Sequence, residues 1–111
     1  MIRLHPPGAL AANVRRASHL LKAMANDRRL VVLMHLASGE KSVGQLERLV
    51  GLSQSALSQH LARLRRAKIV ATRREKQTIY YSLANAEAEA VMAALQEAYR
   101  AADLAERGAA D

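Results

Sequence analysis

Apolar residues return every three to four positions along most of this 111-residue chain, and the period changes in one stretch near residue 70. Through "ALAANVRRASHLLKAMA", Leu10, Val14, Ala17, Leu21 and Met24 fall on one side of a first helix, about 9–24. Asn26 is placed to cap a second helix, in which Leu30, Leu33, Met34 and Ala37 share a face until Ser38-Gly39 ends the run. Ser42 and Gln45 have the spacing of a capping box and open a short third helix over Val43, Leu46, Leu49 and Val50. Gly51 supplies a turn, Ser53 caps again, and a fourth helix runs to about Ala67. Then "IVATRR" and "TIYYSL", rich in β-branched and aromatic residues and separated by "EKQ", predict a two-stranded hairpin over about 69–83. Asn85 caps a last helix to about 107, with Glu87 and Glu89 near its positive end and Val91, Met92, Leu95 and Tyr99 along its apolar side. Residues 1–8, ending in Pro6, Pro7 and Gly8, read as a flexible leader, and 108–111 as a frayed tail.

The expected fold is mainly α with a β-hairpin wing, in the order helix, helix, helix, helix, strand, strand, helix, as one domain over 9–107. The helices at 43–50 and 54–67, joined at a glycine, have the layout of a helix-turn-helix. In the second of them Leu57, Leu61 and Leu64 stand at i, i+4 and i+7 and anchor it to a core. Gln54, Ser55, Ser58, Gln59 and Ala62 then face outwards, followed by Arg63, Arg65 and Arg66. Short polar side chains let a helix approach the floor of a major groove, glutamine pairs bidentately with adenine, and arginine reaches phosphates on the walls. A hairpin directly after such a helix makes a winged helix, with Arg73, Arg74 and Lys76 placed to touch phosphates or a neighbouring minor groove.

Charge sharpens this picture. The net charge is +7, yet residues 53–76 carry seven Lys or Arg against one acid, whereas residues 85–111 carry two against six. A localised basic patch fits a polyanion, and the acidic C-terminal third argues against indiscriminate stickiness. Three aromatic residues, all Tyr, leave the reading face without the stacking platforms of single-strand binders, so double-stranded DNA is the expected partner. There is no cysteine, which removes disulfides, thiolate metal sites and thiol redox chemistry together. No Gly-rich phosphate loop and no nucleophile beside a base are present, so neither an enzyme nor a cofactor is expected. No window reaches the roughly 18 apolar residues of a membrane span, and Met1 to Leu10 lacks the apolar core of a signal peptide; the expected location is the cytoplasm. Two other readings stay open. The chain could be a protein–protein interaction module whose basic patch is incidental, or a regulator responding to a ligand at a site without a motif.

The runs "LKAMANDRRLVVLMHL", "GEKSVGQLERLVGLSQSALSQHLARLR" and "VATRREKQTIYYSL" resemble the ArsR/SmtB family of winged-helix transcriptional regulators, on the side of its BigR-, HlyU- and NolR-like branch, over about residues 17–100. The resemblance implies a cytoplasmic homodimeric repressor on imperfect promoter palindromes, with the first and last helices as the interface. It assigns base reading to Ser53, Gln54, Ser55, Ser58 and Gln59, and a packing or phosphate-contact role to His60. It assigns the interface to Leu10, Val14 and Leu21 with Val91, Met92, Leu95 and Tyr99. The thiol-sensing members carry cysteines where this chain has Met34 and Arg100, so that switch is not expected here. Met34 is read instead as a buried core residue. His5, His19, His35 and His60 are scattered and the last helix has none, so no family-type metal site is expected either, His5 and His19 meeting across a dimer being the one arrangement left open. Lys68 stands where relatives often have Gly, which costs about 1 kcal/mol if the backbone there is left-handed.

Overall fold

The structure is a computed structural model and describes residues 6–110. Along the chain these form α1 (Gly8–Ala12), α2 (Val14–Met24), α3 (Asp27–Ala37), β1 (Lys41–Ser42), α4 (Val43–Val50), α5 (Gln54–Arg66), β2 (Val70–Glu75), β3 (Thr78–Leu83) and α6 (Ala86–Ala110). The architecture is mainly helical with an antiparallel hairpin, the winged helix that the pattern predicts. The sheet has the order β1-β3-β2, with Arg73 opposite Tyr80 and Glu75 opposite Thr78.

Local chemistry sets most of the boundaries. The Asn26 side chain accepts from the Arg28 and Arg29 N–H groups, satisfying donors that the first turn of α3 leaves open. Ser42 and Gln45 close a complete capping box on α4, and Gly51 ends that helix at φ 73°. Ser53 accepts from the Ala56 N–H at the start of α5, and Asn85 from the Ala88 N–H at the start of α6.

At the other end of α5 the Ile69 N–H bonds the Leu64 carbonyl and the Lys68 N–H bonds that of Arg65, the paired bonds of a Schellman stop. This geometry puts Lys68 at φ 60°, where an L side chain is strained. Relief of about 1–2 kcal/mol, less the larger unfolded-state entropy of glycine, makes Lys68→Gly about 0.5–1 kcal/mol more stable. Urea unfolding measures this as a higher midpoint at unchanged slope; a lower midpoint contradicts it.

The core joins Ala23 and Met24 of α2, Val32, Leu33 and Leu36 of α3, Leu46 and Val50 of α4, the three leucines of α5, Ile69, Val70, and Ala88 and Met92 of α6. No polar or charged residue is buried among the described residues.

Several expectations need correction. The first helix is two: Asn13 breaks it, its Nδ2 donating to the Ala9 carbonyl and its own N–H to Leu10, a local alternative to helical bonding. Residues 1–5 of the expected leader lie outside the described residues; Pro7 and Gly8 start α1, because a proline φ near −57° suits a first turn and its missing N–H is not needed there. α6 runs as far as Ala110, with Glu97–Arg100 and Asp103–Arg107 pairs three and four residues apart along it, and residue 111 of the expected frayed tail lies outside the described residues. Met34 is 45% exposed and Ala37 is also exposed. The run "LVVLMHLA" is apolar on nearly every side, and α3 turns Val32, Leu33 and Leu36 inwards.

Candidate nucleic-acid interface

The leucine anchors orient α5 as its spacing requires. Leu57, Leu61 and Leu64 are buried, and Gln54, Ser55, Ser58, Gln59, Ala62, Arg65 and Arg66 are exposed. His60 and Arg63 are half-buried on the flank. Ser53 is exposed, and its hydroxyl oxygen accepts the capping bond from the Ala56 N–H. No carboxylate stands on α5.

Between α5 and the wing runs an open groove of about 870 Å³, into which Gln54, Ser58, Ala62, Arg65 and Arg66 face. Gly44 at the start of α4 and Gln77 and Thr78 at the wing are among the other residues that line it. Those three carry no motif, and only the docking of the hairpin beside α5 brings them to the site. Ser55 and Gln59 lie outside this groove on the exposed side of the helix, and Arg63 turns away from it.

The wing differs from expectation at Arg73. Its guanidinium donates to both carboxylate oxygens of Glu40 at 2.8 Å and to Glu75 at 3.1 Å, and lies 4.4 Å from the centre of the Tyr80 ring. Hydrogen bonding to Arg73 holds the Glu40 carboxyl below its usual range. The same contacts, Glu40 first, raise the Arg73 pKa. Arg73 therefore ties the wing to the loop before β1 instead of standing free for a phosphate. Arg74 is exposed and its Nε donates to the Lys76 carbonyl across the turn, while Lys76 sits at the tip at φ 58°.

The expected interface residues also divide. Leu10, Val14, Leu21, Leu95 and Tyr99 are 37–73% exposed, an unusual amount of bare apolar surface for a small domain. Leu104, beyond the residues assigned from sequence, is 52% exposed. Val91 is half-buried against the core, and Met92 belongs to the core itself at 6% exposure, which leaves it little surface for a partner. His19 is exposed on α2, His35 and His60 are half-buried on separate helices, and His5 lies outside the described residues. Among the described residues no group of three or more His, Asp or Glu could hold a metal.

Comparison with known proteins gives this geometry a context. The profile of the bacterial regulatory proteins of the arsR family matches residues 26–72, which span α3 to the first half of β2. The transcriptional activator HlyU of Vibrio cholerae is 52% identical over 87 residues, covering 78% of this chain and 81% of that relative. The crystal structure of the transcriptional repressor BigR from Xylella fastidiosa superposes with a TM-score of 0.80 at 35% identity, over 86% of this chain and 97% of that one. The homodimeric winged helix-turn-helix DNA-binding domain Mb0332 from Mycobacterium bovis superposes with a TM-score of 0.72 at 29% identity, over 90% and 91%. With a leucine-anchored helix-turn-helix, an adjoining wing and relatives at this level of identity, the chain belongs to the ArsR family of bacterial regulatory proteins, DNA-binding regulators of transcription.

Proposed function

We propose that this protein is a homodimeric repressor in the cytoplasm that reads an imperfect palindrome in double-stranded promoter DNA and acts without the family's thiol or metal sensing. The observation that carries the reading is the exposed, acid-free face of α5, where Gln54, Ser55, Ser58 and Gln59 stand on a helix anchored by three buried leucines. Gln54 and Ser58 also line the groove beside the wing, at the end of α5 that enters the DNA first. Arg65, Arg66, Arg74 and Lys76 supply positive charge along its sides. The bare apolar residues of α1, α2 and α6, together with the homodimeric neighbour, support a two-fold dimer. Such a dimer sets two reading helices about 34 Å apart on successive major grooves. Relatives carry both activator and repressor names, and occlusion of a promoter is the simplest output for a protein without a sensing cysteine. Among the described residues no helix is long and apolar enough to cross a membrane.

Selection of genomic fragments by the purified protein tests the reading. Wild type enriches a short palindrome, and Gln54→Ala lowers the preference for it by about 1–3 kcal/mol per recognised base pair while leaving non-specific affinity unchanged. Enrichment that is indifferent to Gln54 removes the base-reading role, and no enriched motif at all favours the interaction-module reading.

The clamp on Arg73 gives a second test. Replacing both carboxylates, Glu40→Gln with Glu75→Gln, frees a cation at the wing, so the dependence of log affinity on log salt steepens by about two per dimer, one phosphate contact per subunit. An unchanged slope shows that Arg73 gains no phosphate when released.

A further inference from the structure

Behind the reading helix lies a second cavity, of about 530 Å³, where α2, the C-terminal end of α5 and the start of α6 meet. Its walls carry Arg16, His19, Arg63, Arg66 and Lys68 against a single carboxylate, Glu87, which is already paired with Arg16. The positive charge is thus unbalanced within the cavity. Arg63 is half-buried there, and its repulsion adds to burial in holding the neighbouring Arg29 guanidinium below its ordinary pKa. Lys68, on the same wall, is kept in a left-handed conformation that glycine would adopt without strain.

The cavity is not a continuation of the DNA groove. Gln54, Ser58, Ala62 and Arg65, which line the groove beside the wing, are absent from it. Nor does the wing contribute to its lining. Arg66 is the one residue common to both cavities.

We propose that this cavity binds a small, multiply charged phosphate compound, and that its occupation weakens DNA binding. The volume lies within the roughly 300–1,000 Å³ of small-molecule sites. Guanidinium groups take phosphate oxygens in paired hydrogen bonds, and Arg63 and Arg66 with Lys68, the cations that Glu87 does not pair, call for more than one phosphoryl group. A bound polyanion offsets the charge of Arg66, and at a Debye length of about 8 Å it is felt at the adjoining DNA-facing groove. It also bridges the reading helix to α2 and α6, the helices that carry the bare apolar face, so occupation and the pose of α5 are coupled.

Isothermal titration of the full-length protein with inorganic pyrophosphate, without DNA and at fixed ionic strength, tests the site independently of operator reading. Wild type binds one pyrophosphate per protomer, and Arg63→Gln and Lys68→Gly each weaken binding about tenfold. Because Lys68→Gly relieves strain, its loss of binding cannot come from unfolding. In a separate arm, saturating pyrophosphate lowers operator affinity about fivefold or more relative to sulfate at matched ionic strength. Absence of binding by wild type, or equal binding by both variants, overturns the site. Binding that leaves operator affinity unchanged overturns the coupling. If the variants instead lose operator affinity with a shallower salt slope while wild type binds no pyrophosphate, the cavity holds a DNA backbone phosphate and the proposal fails.

Discussion

Raising the salt concentration from 50 to 200 mM weakens operator binding by about 10³–10⁵-fold, the loss expected when about 6–10 phosphates are neutralised. On the proposed reading, fewer cations contribute than the sequence offers. Arg73 is held by Glu40 and Glu75, and Arg63 turns from the groove, so in the proposed complex Arg65 and Arg66 of the groove and Arg74 and Lys76 of the wing are the cations each subunit offers to DNA. Two copies of these four fall inside that range. Each phosphate contact contributes a slope of about 0.9, so removing one by Arg66→Gln flattens the dimer's slope by nearly two. Fluorescence anisotropy across a salt series reads both effects. A slope near zero would show that the basic patch is a solvated face, and the assignment of α5 to the groove would go with it.

Leu21→Asp dissociates the dimer and abolishes binding to the full palindrome. Leu21 is 50% exposed on α2 and leaves the core of the protomer untouched, so the monomer keeps its fold. In the proposed dimer each copy of the new carboxylate is buried without a partner. An uncompensated buried charge costs about 3–5 kcal/mol, equivalent to dimerisation weakened about 10²–10⁴-fold. Sedimentation equilibrium measures the association constant, and circular dichroism verifies that the helices persist. A variant that remains a dimer with full operator affinity moves the interface away from α2.

These expectations draw on features of different legibility. The caps at Asn26, Ser42, Ser53 and Asn85 are readable because a side chain that closes a helix end reaches only two or three residues along its own chain. The leucine stripe of α5 is equally plain, since a helix with one apolar face among polar ones has a single way to pack. The exposure of Gln54, Ser55, Ser58 and Gln59 follows from that stripe, so the centre of the candidate site was visible before the fold. α3 is the opposite case. Its apolar residues occupy nearly every side, and only its neighbours decided that Val32 and Leu36 go in and Met34 stays out. The two-residue β1 is too short to show alternation, and it exists because β3 offers it Tyr80 and Tyr81 as partners.

By itself, then, the sequence determined the helices from α3 onwards with their hairpin, the caps, the exposed polar face of α5 and the basic middle third, all set by composition or by interactions within one turn of helix or one hairpin. Tertiary structure decided the rest. It brought Glu40 to Arg73 across 33 residues and so took that arginine from the wing's free charges. It turned Met92 into the core while leaving Leu95 and Tyr99 bare. It also gathered Arg16, Arg63, Arg66 and Lys68 around one cavity from two helices and a helix stop. Each of these depends on the distance between side chains on separate elements, which local periodicity does not encode and packing does.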